Sequence, residues 1–333
     1  MKASAPGKVI LFGEHAVVYG RPALAVPVTQ VHVDVEVLDS PRAGIFIHAP
    51  GIDLHAELNA LPADHPIASV ILKMIQRFDI SPLPNLEVNI SSTIPVASGL
   101  GSGAAVSVAL IRALSLVLPK LHRDNVSKVV GSFLPSTRFA SGHRFHSLSD
   151  VEVNSLAYEI EKLHHGTPSG IDNTVITYNK PVYFIKGQPV EMFKVGKPFT
   201  IVIGDTGIPA LTKESVNDVR RLWLKDTLSF EGLFNEIAQI ALIARRSIES
   251  GKPELLGDLM DHNHSLLQDM TVSSPELDKL VQAARNAGAL GAKLSGGGRG
   301  GNMIALAEQA KAESVAGGLI SAGAKRTIIT EIS

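Results

Sequence analysis

The sequence has no cysteine, a single tryptophan and only 5% aromatic residues. Without cysteine there is no disulfide, no thiolate metal site and no cysteine nucleophile, which fits a reducing compartment. An excess of charge is missing too: 31 Lys+Arg stand against 32 Asp+Glu, a formal net charge of −1. That balance argues against a broad surface for nucleic acid or acidic lipid, while leaving room for a local basic groove. With 45% hydrophobic residues, it also excludes a disordered chain. No apolar run reaches the length of a membrane span. The longest, Ala104 to Leu118, is interrupted by Arg112 and falls short of the roughly 18 residues required. Near the start, Pro6-Gly7-Lys8 reads as a turn where a secretory signal would need its apolar stretch. The expectation is a cytoplasmic protein with neither nucleic acid nor membrane as partner. Glycine, in contrast, is plentiful, with 29 in 333 residues.

The chain is long enough for one large or two ordinary domains. Val31 to Val37 and Leu86 to Ile90 alternate apolar and polar residues and predict strands with one wet face. Residues 102–118 form an Ala/Leu-rich run suited to a buried helix. Ser149-Asp-Val-Glu152 is a capping box that opens a helix running to about His164. Between these helices lies 119–148, with Pro119 and Pro135 as breakers, which reads as an irregular excursion or two short helices. Farther on, Phe199 to Gly204 predicts a buried strand, and helical patterns occupy 213–225, 230–250, 253–269 and 275–287. Asn302 to Leu306 and Arg326 to Ile332 predict closing strands. Strands first and helices later, without regular alternation, indicate an α+β protein. The division expected is 1–185 and 186–333.

Three glycine-containing segments sit beside polar residues: Pro6 to His15, Pro95 to Ala105 and Lys293 to Asn302. In the second, Gly99 and Gly101 let backbone approach a ligand closely, and Ser102 opens the apolar helix. Unpaired N–H groups there would face an anion, most naturally a phosphate. Gly99, Gly101 and Ala104 also satisfy the dinucleotide pattern G-x-G-x-x-A, but the preceding strand alternates and Pro95 to Ser98 intervene. Gly296, Gly298 and Gly301 match a similar pattern, which shows how unselective it is. No P-loop motif occurs.

In Glu161 to Asn173, a helix ends near Gly166 and Pro168-Ser-Gly170 makes a turn that presents Asp172. Two carboxylates eleven residues apart on either side of a turn can serve one site, one on a metal and one as a base. Each alone is equally an ordinary feature, Glu161 a solvated helix position and Asp172-Asn173 a plain turn. His164 and His165 point about 100° apart on a helix and make no zinc pair. Asp261-His-Asn-His264 reads as a polar helix face.

Pro6 to Gly20, Gly99-Leu-Gly-Ser-Gly-Ala104, His165 to Asn173 and Lys293 to Gly301 occur in this order over nearly the whole chain. Together they resemble the GHMP kinases, the group of galactokinase, homoserine kinase, mevalonate kinase and phosphomevalonate kinase. The first and third segments look most like the mevalonate-phosphorylating branch. The resemblance implies ATP-dependent phosphorylation of the primary hydroxyl of (R)-mevalonate, with ATP and Mg²⁺ as cofactors. It implies a nucleotide-binding N-terminal domain, a ferredoxin-like C-terminal domain and an active site in the cleft between. Asp172 then matches the catalytic base, and Lys8 the lysine beside it that neutralises developing charge. Glu161 matches the Mg²⁺ ligand, with Ser102 also on the metal. Glu14, His15 and Thr212 match substrate-side positions. Pro95, Ser98, Gly99, Leu100, Gly101, Ser102, Gly103 and Ala104 form the loop on the ATP phosphates, which the Lys293–Gly301 loop supports. One departure stands out: where the family usually has a second serine this chain has Gly103, so either Ser102 covers both duties or water replaces the hydroxyl. The 119–148 stretch is also longer than expected, as a lid, a set of surface contacts or padding. The rival readings are a relative acting on phosphomevalonate, homoserine or a sugar, and a non-catalytic ligand-binding relative. A homodimer is the default expectation.

Overall fold

A computed structural model describes residues 1–95, 98–130, 147–165, 168–210 and 212–333, the side chains of 122–130 and 164–165 excepted. In chain order the elements are β1 (Lys2–Phe12), β2 (Ala23–Asp39), β3 (Ile45–Ala49), β4 (Leu54–Glu57), α1 (Pro66–Arg77), β5 (Leu86–Ser92), α2 (Ser102–Val130) and α3 (Asp150–His165). They continue with α4 (Ile171–Tyr178), β6 (Val182–Phe184), β7 (Glu191–Met192), β8 (Phe199–Asp205), α5 (Thr212–Lys225), α6 (Thr227–Glu249), α7 (Leu256–Asp269) and α8 (Pro275–Asn286). The chain ends with β9 (Gly291–Ser295), β10 (Asn302–Ala307), α9 (Ala312–Ala322) and β11 (Arg326–Ile332). The fold is α+β, as the segment pattern predicts. Two compact units are present: residues 1–5, 32–93 and 103–168 form one, and 6–31, 94–102 and 169–333 the other.

In the first unit, the later half of β2 pairs antiparallel with β5, β5 pairs parallel with β3, and β3 and β4 form a hairpin. The alternation read in Val31–Val37 is realised in β2, where Val33, Val35 and Val37 are buried and the residues between face outward. The predicted capping box also forms. Ser149 donates its backbone N–H to Glu152 at 3.0 Å, and the Glu152 N–H returns to Ser149 Oγ at 3.4 Å. Arg77–Glu152 and Arg112–Asp150 ion pairs join α3 to α1 and α2.

The second unit is built on an antiparallel four-stranded sheet of order β11-β8-β10-β9. With helices between β8 and β9 and α9 between β10 and β11, this is the ferredoxin-like split βαβ arrangement. Every residue of β8 is buried, as its continuous apolar run requires. Asp261 on α7 accepts from the Ala292 N–H at 2.8 Å and from Arg285 at 2.9 Å, while Asn263 and His264 are buried. Asp261, Asn263 and His264 are therefore packing groups at a helix–sheet contact, and His262 alone stays on the exposed polar face predicted.

Four readings from sequence are corrected. Pro6-Gly7 is no turn: β1 runs through both, because burial of Ala5, Val9, Leu11 and Phe12 outweighs a local turn preference that proline's extended φ does not enforce. Nor does Pro119 break its helix. α2 continues to Val130, and buried Leu110, Leu114, Val117 and Leu118 offset a penalty of about 3 kcal/mol. Most of the predicted excursion, 131–146 with Pro135, lies outside the described residues, as does Gly166. Asp172 lies within the first turn of α4 and not in a loop. Lastly, Ser102–Leu121 is long and apolar enough to cross a membrane, although 72% of it is buried in the protein. A helix apolar on all faces and enclosed by its own fold is a core helix.

Candidate active site

β1 carries Lys8 into the second unit with its side chain only 4% exposed. A lysine so enclosed needs partners. Its ammonium stands 3.0 Å from Asp172 Oδ1 and donates to the Gly99 carbonyl at 3.1 Å, while its backbone N–H donates to the Leu100 carbonyl at 3.0 Å. Asp172 keeps 35% of its side chain exposed. α4 thus presents a carboxylate with one oxygen on a buried cation and its remaining surface open to a ligand.

The loop that receives Lys8 has its conformation set by glycine. Gly99 and Gly101 have φ of 87° and 76°, values L side chains rarely adopt. A Cβ on Gly101 would meet Ile176 Cδ1 at 2.9 Å and Lys8 Cγ at 3.0 Å, so the lysine stem passes where a side chain would stand. Leu100 anchors the loop in the core, Ser98 Oγ donates to the Pro95 carbonyl at 2.9 Å, and Asn302 Nδ2 donates to the Ser98 carbonyl. Val96 and Ala97 lie outside the described residues. The loop runs directly into Ser102, Gly103 and Ala104 at the start of α2, where the first N–H groups of a helix have no intrahelical acceptor. N–H groups placed in this way suit an anion such as a phosphate.

Glu14 and His15 follow the end of β1. Glu14 is fully enclosed and ion-paired with Lys293 of β9, and its second carboxylate oxygen has no protein partner. His15 adopts φ 60°, and its Nε2 lies 3.1 Å from the Gly297 carbonyl. As an acceptor, that carbonyl fixes the proton on Nε2 and leaves Nδ1, which is buried and unpartnered, as an acceptor. Burial lowers the His15 pKa to about 4, so the ring is neutral at pH 7. Thr212 opens α5, and a Cβ on Gly297 would fall 2.7 Å from its hydroxyl. Glu14, His15, Gly297 and Thr212 therefore surround one stretch of the 293–301 loop.

Glu161 lies on α3 in the first unit, with its Oε1 3.8 Å from where a Cβ on Gly103 would stand. No group of three or more His, Asp or Glu suited to a metal occurs among the described residues. Mg²⁺ requires less, one or two protein oxygens with phosphates and water completing the shell. Glu161, a carboxylate beside Gly103, could supply one such oxygen.

A profile described as "GHMP kinases N terminal domain" matches residues 66–132, and one described as "GHMP kinases C terminal" matches 244–325. The mevalonate kinase of Pyrococcus abyssi is 35% identical over 95% of this chain and 92% of its own length. That of Methanothermobacter thermautotrophicus is 33% identical over 91% and 89%. The chain belongs to the GHMP kinases, in their mevalonate kinase branch. Structures of this branch agree: L. major mevalonate kinase, solved with R-mevalonate, superposes with a TM-score of 0.79 over 100% of this chain and 96% of its own, at 28% identity. The Methanococcus jannaschii mevalonate kinase gives 0.77 at 25% identity, over 99% and 97%.

Two features of the site escape a reading by motif. Asn302 anchors the Ser98 carbonyl, and no sequence signal sets it apart from a residue after a glycine run. Lys293 opens the third glycine-containing segment, but nothing in that segment marks its pairing with Glu14.

Proposed function

We propose that this protein transfers the γ-phosphoryl group of ATP to the primary hydroxyl of (R)-mevalonate, yielding 5-phosphomevalonate and ADP. The observation that carries this reading is the Lys8–Asp172 pair at 3.0 Å, tied by the same ammonium to Gly99. One lysine thereby links the carboxylate that handles the acceptor's proton to the loop that holds the donor's phosphates. Asp172 accepts the proton as the hydroxyl oxygen bonds to Pγ and the bond from Pγ to the bridging oxygen of ADP breaks. Lys8 offsets the negative charge spread across the transferring group. Backbone N–H groups of Ser98, Gly99, Leu100, Gly101, Ser102, Gly103 and Ala104 cradle the phosphates, with Pro95 setting the loop's entry. Glu161 and Ser102 would hold Mg²⁺, which neutralises phosphate charge. His15 Nδ1 and Thr212 face the acceptor, and Glu14 stands behind His15.

The same reading gives a division at 185/186, supported by family matches on either side of it. It also gives a cytoplasmic enzyme with no nucleic-acid or membrane partner, supported by the net charge of −1 and the enclosure of α2, and a homodimer to be tested by sedimentation. The deciding experiment is coupled ADP release with Mg·ATP and mevalonate, phosphomevalonate, homoserine or galactose. Turnover is expected with mevalonate; turnover confined to another acceptor overturns the substrate, and none with any of them favours a ligand-binding relative.

A further inference from the structure

Lys293 and Glu14 are both wholly enclosed, 0% exposed, in the second unit. Lys293 Nζ donates to the Glu14 carboxylate and, at 2.6 Å, to its neighbour's Leu294 carbonyl, and it lies 5.9 Å from the Phe12 ring centre. Burial pushes the Glu14 carboxyl up and the Lys293 ammonium down, with mutual attraction opposing both shifts. A buried ion pair of this kind is commonly no more stabilising than an apolar pair of the same volume. Stability alone therefore does not account for it.

Its position does. The pair is one of three ties between the end of β1 and the 293–297 segment. The others are Ser295 Oγ donating to the Ile10 carbonyl at 2.8 Å and His15 Nε2 on the Gly297 carbonyl. Between them stands His15, a non-glycine residue at φ 60°, a conformation that persists only where its surroundings enforce it. Glu14 directly precedes His15, so a clamp on its carboxylate bears on the backbone that sets the His15 ring.

We propose that Lys293 is a positioning residue for phosphoryl transfer: by clamping Glu14 against the 293–297 segment it holds His15 in the Nε2–H tautomer, which leaves Nδ1 free to accept from a polar hydrogen of the acceptor substrate other than the one Asp172 takes. This rests on the reading of His15 as facing mevalonate. The double variant Glu14→Gln/Lys293→Met removes both charges while keeping the volume. It should unfold within a few degrees of the wild type, yet raise KM for mevalonate at least tenfold while KM for ATP changes less than twofold. The His15 ring in long-range ¹H–¹⁵N spectra should change from a single Nε2–H tautomer to a mixture. Wild-type KM values and a single tautomer in the double variant overturn the proposal. Should the double variant fail to fold, Glu14→Gln alone decides: KM for mevalonate rises at least threefold, or the proposal falls. The ring spectrum needs no turnover, so a wild type inactive on mevalonate, with the tautomer change still seen in the double variant, refutes the substrate and not the clamp.

Discussion

Lys8 and Lys293 each leave a strand of the second unit to meet a carboxylate, yet Asp172 keeps 35% of its side chain open while Glu14 keeps none. Lys8 also grips the loop at Gly99, and Lys293 grips its own neighbour's carbonyl. A carboxylate that must exchange a proton with a ligand needs a free surface. One that sets backbone geometry is best sealed, where low dielectric strengthens its hydrogen bonds. Exposure, more than the pairing itself, separates the two.

The largest effect expected is at the open pair. Asp172→Asn and Lys8→Met should each reduce kcat by about a thousandfold or more. Asp172→Asn should keep the wild-type circular dichroism, since Asp172 is partly exposed and the Gly99 carbonyl and the new amide oxygen can still accept from the Lys8 ammonium. The sealed pair should behave in the opposite way. Lys293→Met leaves Glu14 buried without its cation and should cost about 3–5 kcal/mol in urea unfolding. If Asp172→Asn proved the more destabilising of the two, the contrast would collapse.

The glycines of the 296–301 loop extend the comparison. Gly298 has φ 74°, and a Cβ there would approach the Val272 carbonyl oxygen to 1.9 Å. Gly298→Ala should therefore displace the loop and destabilise the protein by at least the roughly 1–3 kcal/mol typical of such backbone strain. Urea midpoints read this directly.

Acid should also act on the sealed region. His15 and His264 both have pKa values lowered to about 4 by burial, against 6.5 in an unfolded chain. Between these values the unfolded state binds more protons than the native one. Stability is then complete above about pH 6.5 and falls as pH drops towards 4, by up to about 1.4 kcal/mol per pH unit for each histidine. His264 accepts from the Leu294 N–H at 3.3 Å, next to Lys293, so His264→Gln should remove part of that slope. Unfolding curves from pH 7 to 4.5 test this; an unchanged slope in the variant would assign the acid sensitivity elsewhere.

The order and type of most elements were legible because burial repeats with the period of the element. β11 spans Arg326–Ile332 as read, and α8 and β8 differ by a residue. The glycine loops were legible because a close backbone approach has few residue solutions. Three things were not. Pro6-Gly7 and Pro119 carry local signals that distant packing overrides, and packing partners are not adjacent in sequence. The enclosure of Glu14 depends on Lys293, 279 residues away. Asn302 holds the phosphate loop through one amide across 204 residues, a contact no local pattern marks.

The smallest effect expected lies at the position where the chain departs from its relatives' motif. A Cβ on Gly103 would meet Glu161 Oε1 at 3.8 Å, an ordinary contact, and Gly103 shows no positive φ. Unlike Gly298, it has room for a side chain. Gly103→Ser should change stability by less than about 1 kcal/mol, with removal of glycine from a helix contributing favourably. The new hydroxyl would stand beside Glu161 as a further oxygen for Mg²⁺. Half-saturation by Mg²⁺ at fixed ATP should therefore move to a lower concentration by a few fold, with kcat little changed. A rise in the Mg²⁺ requirement would mean that the gap beside Glu161 is already filled by a water the serine displaces, and that Gly103 is the better residue for this site.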